Sequence, residues 1–338
     1  MKRGSADLKL LRYHPETAFG GQSKEDALKS SVKKALDPEK TLTEKDKRRI
    51  ELASEIGEQE TAFDKFRVMC AENKLAAFSL VVILIFIFMA IFAPVVAPYD
   101  PTKQDLIHRM QGMSREHIFG TDQLGRDIYS RMIYGARVSI AIGLLPTFVS
   151  ILIGTVLGLI SGYFGGVVDF IIMRLCDITM AFPSLLLAMV VMYTMGAGII
   201  NIFLALTLVS WAGTARVIRS QTLQLREMEY IEAACSMGVS SFAIMFRHIL
   251  PNCLPNLIVL FTLNIPGSIL SESSLSFLGI GAQAPMTSWG LMVSDGKQYL
   301  FTNPVIAIAP GVAILILALA FNFLGDGVRD VMDPYLSK

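Results

Sequence analysis

Between two strongly apolar segments lies EAACSMGVSSFAIMFRHILPN, residues 232–252, with a Glu, an Arg, a His and three Ser. Its residue types suit recognition by a partner. Glu232-Ala233-Ala234 sets two tiny side chains beside one carboxylate. Small side chains let a helix sit deep in another protein's groove, and a carboxylate orients it by charge-assisted hydrogen bonds. The flanking residues favour two short helices. Residues 222–237, TLQLREMEYIEAACSM, are rich in helix formers. Gly238 can take the left-handed conformation that ends a helix. Ser240 or Ser241 can cap a second helix, FAIMFRHIL, and Pro251 is expected to close the unit. The residues alone leave two readings open: a docking helix–turn–helix, or an amphipathic linker with no partner.

No catalytic or metal constellation accompanies this segment. His14, His108, His117 and His248 are scattered, and Cys70, Cys176, Cys235 and Cys253 lack metal or redox spacing, which makes them small apolar fillers. There is no HExxH, no Gly-x-Ser-x-Gly and no phosphate-loop pattern, so no cofactor and no nucleotide site is expected. A membrane-embedded enzyme would need a convergent nucleophile, base or metal set, and none is visible.

The elements that must hold the segment are membrane spans. The 338 residues are 53% hydrophobic and 17% charged, and the mean hydropathy is +0.52. Those values lie outside the range of soluble domains. A net charge of +1 gives no global attraction to nucleic acid. A helical span needs about 20 apolar residues. Such runs lie at 75–99, between Arg137 and Asp169, at 178–215, at 254–270 and at 304–324. The third is too long for one helix and breaks at MGAG, residues 195–198, giving an expected total of six spans. Most of the 30 Lys and Arg residues then fall inside if both termini are inside. The fold class is therefore an all-α polytopic membrane protein, N-in and C-in, with segment 222–252 inside. A self-powered secondary transporter would instead show internal repeats and midplane acids. No clear repeat is present.

Residues 1–74 read as an inside extension without a cleavable signal peptide, and 75–338 as the membrane domain. Residues 1–40 read as flexible. From Thr41 the pattern is helical, and Phe63, Phe66 and Met69 recur at i, i+3, i+6 beside the first span. That stretch suits either the membrane interface or a solvated helix. The run Lys45 to Arg49 reads as a solvated face.

Several further positions carry expectations. Asp122 with Arg126, or Asp127 with Arg131, could pair at i, i+4 on an exposed helix, worth about 0.3–0.5 kcal/mol. Their segment suits either a lip that meets a partner or a structural brace. Trp289 reads as an interfacial anchor. Asp169, Arg174 and Asp177 enter the third span, with Arg174 expected to pair with either acid. Pro146, Pro183, Pro266 and Pro310 can kink spans. No residue stands out as a substrate contact.

The spacing of E-A-A, three residues, Gly, then twelve residues to Pro with Leu before it, resembles the cytoplasmic EAA loop of permease subunits in ATP-binding-cassette (ABC) importers. Glu232, Ala233, Ala234, Gly238, Leu250 and Pro251 carry the match. One position departs. The family's Ile, ten residues after the Gly, falls on His248, with Ile249 adjacent, which on a regular helix would turn the aliphatic group to another face. HIFGTDQLGRDIYSRMIYGARVSIAIG (117–143), SESSLSFLGIGAQAPMTSWGLMVSDG (271–296) and FNFLGDGVRDVMDPYLSK at the end are similar to the C-type permease of dipeptide, oligopeptide and nickel importers. The resemblance spans roughly residues 75–334 and implies a non-catalytic permease half in the inner membrane. It implies a homologous second permease, two cytoplasmic ATPases that hydrolyse ATP, an extracytoplasmic binding protein and membrane lipid as partners. Short peptides are the implied cargo, with nickel or another small solute as the alternative.

Overall fold

The computed structural model describes residues 67, 69–71 and 73–332. Among these the secondary structure is helical, and the only β pairing is an isolated bridge between Thr121 and Asp127. Backbone polar groups inside a bilayer have no water to bond, so each apolar run must satisfy its own N–H and C=O groups as helix.

The long helices follow the apolar runs. They are α1 (Lys74–Ile91), α3 (Ile128–Phe164), α6 (Ile199–Arg226), α9 (Leu250–Phe277) and α11 (Val305–Met332), with a short α2 (Ala93–Val96) after α1. Between α3 and α6 lie α4 (Gly166–Ala181) and α5 (Ser184–Met195), bent by 92° at a break that holds Pro183. Among the described residues five helices are long and apolar enough to cross a membrane, or six if the bent pair counts as one span. The break expected at MGAG is present. Gly196 and Gly198 have φ of +87° and +156°, and Asn201 Nδ2 donates 2.9 Å bonds to the Met195 and Gly196 carbonyls left open there.

Several boundaries differ from the sequence reading: the span expected from residue 178 is the bent pair α4 and α5, broken at Pro183 inside that run, and α3 starts earlier and α9 ends later than expected. α3 starts nine residues before Arg137, because Asp127 caps it: its Oδ2 accepts from Ser130 N at 2.8 Å. α9 runs past Leu270 to Phe277, and the hydroxyls of its Ser-rich last turns turn back on the helix, as Ser271 does to Gly267 O at 2.7 Å. Of the expected N-terminal helix only its end is described. Phe63 and Phe66 lie outside the described residues, and Met69 is buried against Gly327 rather than in lipid.

α3 and α6 pack backbone to backbone. Gly154, Gly158 and Gly162 form a four-residue ladder on α3. A Cβ at Gly154 would stand 2.6 Å from Trp211 O, at Gly158 2.6 Å from Ala215 O, and at Gly162 2.7 Å from Thr222 Cβ. Only glycine lets the backbones meet like this, and such contact replaces the hydrophobic drive that lipid removes. On its other side, Ala212 and Ala215 of α6 seat Cys176 of α4. A second bundle joins α1, α3, α9 and α11 around Ile269, Leu317 and Trp289. The buried hydroxyls of Thr147 and Ser268, 2.7 Å apart, tie α3 to α9.

The end that bears the 97–127 loop is braced by charge. The expected Asp122–Arg126 pair exists at 2.7 Å, but in a loop and buried, not on an exposed helix. Arg131 does not pair with Asp127. It reaches Asp122 at 2.5 Å and Asp295 at 3.3 Å, while Asp127 is taken by its cap and by His117 at 2.9 Å. Asp295 sits in α10 (Trp289–Gly296), so this cluster clamps the 97–127 loop to the segment after α9. Trp289 is no interfacial anchor. It is 1% exposed, its Nε1 donates to Met132 O at 2.9 Å, and its ring meets Phe86 edge-on. The ring fills the gap beside Gly135, where a Cβ would be 3.0 Å from it.

Two measurements check this packing. Gly158→Leu should remove the chain from the folded membrane fraction, whereas Gly311→Leu, with open space around the site, should leave its level and Tm unchanged. Asp122→Ala leaves two buried guanidinium groups to share the half-exposed Asp295 and should cost about 3–5 kcal/mol of stability, read as a lowered Tm in detergent.

Candidate functional site

The loop between α6 and α9 is built as two short turns of helix seated on the bundle. α6 ends at Arg226. Glu227 and an extended Met228 then break the chain, so residues 222–237 are not one helix as expected. α7 (Glu229–Ser236) follows at a new angle, with the Ile231 amide bonded to Met228 O at 2.9 Å. Gly238 has φ +79°, and the Val239 amide closes back on Ala234 O at 3.1 Å, the closure expected of a left-handed C-terminal glycine. Ser240 then caps α8 (Ser241–Ala243), accepting from Ala243 N at 3.4 Å.

Pro251 does not close the unit. The chain stays helical from Ser241 to Phe277, and Pro251 sits inside it, where the π-helical stretch passes into the first turn of α9. The connection is a π-helical stretch, Ile244–Ile249. Its wider turn accommodates one more residue than an α-turn. That extra residue compensates the one-position shift at His248. Ile249, not His248, takes the buried face and is 0% exposed.

The unit has two faces. Ile231, Ala234, Ile244, Met245 and Ile249 pack with Leu159 of α3, Ile218 of α6 and Cys253 of α9. Leu250 packs half-buried on the same cluster. The opposite face is exposed: Glu232, Ala233 and Gly238 lie on it with Tyr230 at 47%, Met237 at 77% and Phe242 at 67%. Phe242 and Phe246 stack with centroids 4.4 Å apart. The two alanines of the motif thus part company. Ala233 faces out and Ala234 is an internal contact of the bundle. Cys235 is exposed beside Tyr163, so it is not the apolar filler that the sequence suggested, whereas Cys176 and Cys253 are buried.

A cleft of about 620 Å³ opens beside Glu232, lined by Tyr163, Phe164, Arg226, Cys235, Ser236 and Ser241. Arg226 Nη1 donates to Tyr163 O at 2.9 Å and ties the ends of α3 and α6. Further along, Asp169 is held by Arg219 at 2.5 Å and by Ser161, and Asp177 by Arg216 at 2.5 Å and Arg174 at 3.4 Å. The expected Arg174–Asp177 pair is there, but the shorter bonds come from arginines of α6 that local spacing does not connect. No group of three potential metal ligands occurs among the described residues.

One acid escaped the sequence reading. Glu272 is 0% exposed in α9, on a helix turn that looked like loop. Ser276 Oγ donates to it at 2.8 Å and Ser273 Oγ at 3.4 Å, and the hydroxyls of Ser288 and Ser139 lie beside it. Four serines and no cation, among the described residues, make this a hydroxyl cage that joins α3, α9 and the turn before α10. The SESS cluster was the available signal.

Comparison with known proteins agrees with this architecture. A family model described as "binding-protein-dependent transport system inner membrane component" matches residues 154–338, and one described as "N-terminal TM domain of oligopeptide transport permease C" matches 70–112. The dipeptide transport system permease protein DppC of Alkalihalophilus pseudofirmus is 43% identical over 79% of this chain and 88% of its own length. The glutathione permease GsiD of Pectobacterium atrosepticum is 44% identical over 76% and 85%. The oligopeptide permease OppC of Bacillus subtilis is 42% identical over 79% and 87%. A solved structure of the inward-facing MetNI methionine ABC transporter shares the fold, with a TM-score of 0.50 at 19% identity, over 65% of this chain and 99% of that one. The chain belongs to the inner-membrane permease components of binding-protein-dependent ABC importers.

Proposed function

We propose that this permease forms one half of the path for short peptides, and that the loop 222–252 couples the path to ATP hydrolysis by partner subunits. The observation that carries the coupling is the two-faced loop. Its inner face grips α3, α6 and α9 at once, so force on its outer face moves three long helices together. The outer face offers a carboxylate, an alanine and a Met–Phe–Tyr surface, the make-up of a helix that enters a cleft.

In this reading the bent pair counts as one span, giving six, with both termini and the loop in the cytoplasm. Arg216, Arg219, Arg226 and Arg247 on or near the loop support that orientation. A homologous permease completes the path, two ATPases receive the paired loops, and a binding protein delivers cargo on the far side. Residues 75–338 make the membrane domain and 1–74 a cytoplasmic extension. Closure of the ATPase pair draws the loops together and the bundle opens outward. ATP supplies the differential affinity that such a two-state shift requires. The cargo assignment rests on relatives named for dipeptides, oligopeptides and glutathione, which are all short peptides.

Two substitutions test the coupling in the assembled transporter. Glu232→Lys reverses the charge on the outer face. Gly238→Val forces a branched side chain into φ +79°, at a cost of roughly 1–2 kcal/mol. Each chain should remain in the membrane at the parent level while ATP-driven uptake falls to background. Normal uptake by both variants would refute the coupling role.

A further inference from the structure

α9 carries an uncovered polar stripe. Asn252, Asn256, Asn264 and Gly267 are exposed, and Ser271 and Ser274 are half-buried along the same side of the helix. The spacings of four, eight, three, four and three residues keep them on one face. Asn264 stands midway along the 28-residue helix, roughly 20 Å from either end. Its amide and that of Asn256 make no hydrogen bond among the described residues, and nothing lies within 4 Å of a Cβ built on Gly267.

A lipid-facing helix does not tolerate this. Serines survive in hydrocarbon by bonding the carbonyl one turn back, as Ser271 and Ser274 do at 2.7 and 2.8 Å. A free asparagine amide at midspan has no such outlet, and polar groups there face water or protein. An apolar helix of a partner could not satisfy two donors and an acceptor at Asn264. We propose that this stripe, centred on Asn264 and Gly267, is the wall of the translocation path that touches the peptide, and that it recognises the peptide backbone. The inference rests on the importer reading above. The stripe is uncharged and both donates and accepts hydrogen bonds, which matches the amide N–H and C=O common to every short peptide. It holds no charge to select a side chain, and Gly267 leaves room beside Asn264 for side chains of different size.

The test uses the complete transporter in proteoliposomes, with Asn264→Cys, Gly267→Cys and, on an apolar exposed face of α11, Leu315→Cys. A charged methanethiosulfonate reagent is applied, and labelling of the parent chain's own cysteines is subtracted. Positions 264 and 267 should react at least about tenfold faster than 315, and their modification should stop peptide uptake. Equal, slow labelling at all three positions would overturn the proposal, since the stripe would then face lipid or a dry contact with the second permease. Separately, Asn264→Leu should lower uptake about five- to tenfold at unchanged membrane level, the loss expected for one hydrogen bond, with Asn264→Gln restoring most of it. Parent-level uptake in Asn264→Leu would also overturn it. A parent complex that takes up no peptide would refute the importer reading instead, while the labelling rates would still decide whether the stripe is wet.

Discussion

The contact between α3 and α6 along Gly154, Gly158 and Gly162 sets the rest of the molecule. In lipid there is no hydrophobic gain from pressing two apolar helices together, so close backbone approach and dense van der Waals contact must hold them. The glycine ladder provides it. Once α6 lies against α3, Ala212 and Ala215 can seat α4, Arg219 and Arg216 fall beside Asp169 and Asp177, and Arg226 reaches the last turn of α3. The loop after α6 then emerges where Leu159 and Ile218 already form a floor for Ile231 and Ile249.

The two ends of the bundle solve different problems. The end with the 97–127 loop is stiffened by buried ions, with Asp122 shared by Arg126 and Arg131. The Trp289 ring and the Glu272 hydroxyl cage lock the segment after α9 onto α3. Breaking one partner of such a set is costly, so that end acts as a rigid frame. At the other end arginines of α6 tie α3 and α4, while the loop itself packs on the bundle by apolar contact through Ile231, Ala234 and Ile249, with its acid and aromatic side chains left outward. Apolar packing holds the loop to the bundle without fixing the outer face, which stays available to a partner.

Polar groups within the span divide along the same lines. Those that the fold uses are paired: Thr147 with Ser268, Asp169 with Arg219, Glu272 with its serines. The Asn256 and Asn264 amides on the outer side of α9 are not, among the described residues. A transport path needs such groups, because cargo leaving water must find replacements for the hydrogen bonds it gives up.

The sequence by itself determined where helices had to form, the break at MGAG, the left-handed turn at Gly238 and the motif residues Glu232, Ala233 and Ala234. Each depends on short-range features: run length, backbone permissiveness, or fixed spacing. Tertiary structure decided what each side chain faces. It buried Trp289 where local character suggested an interface, turned Asp122 and Arg126 from an exposed pair into a buried clamp, and gave Asp169 and Asp177 to arginines some 40 to 50 residues away. It carried Pro251 into the first turn of α9 and used a π-turn to bring Ile249 inward. It also showed that the Asn264 face is left uncovered. Helical periodicity marks which residues share a face, but only the neighbouring helices decide whether that face meets protein, lipid or water.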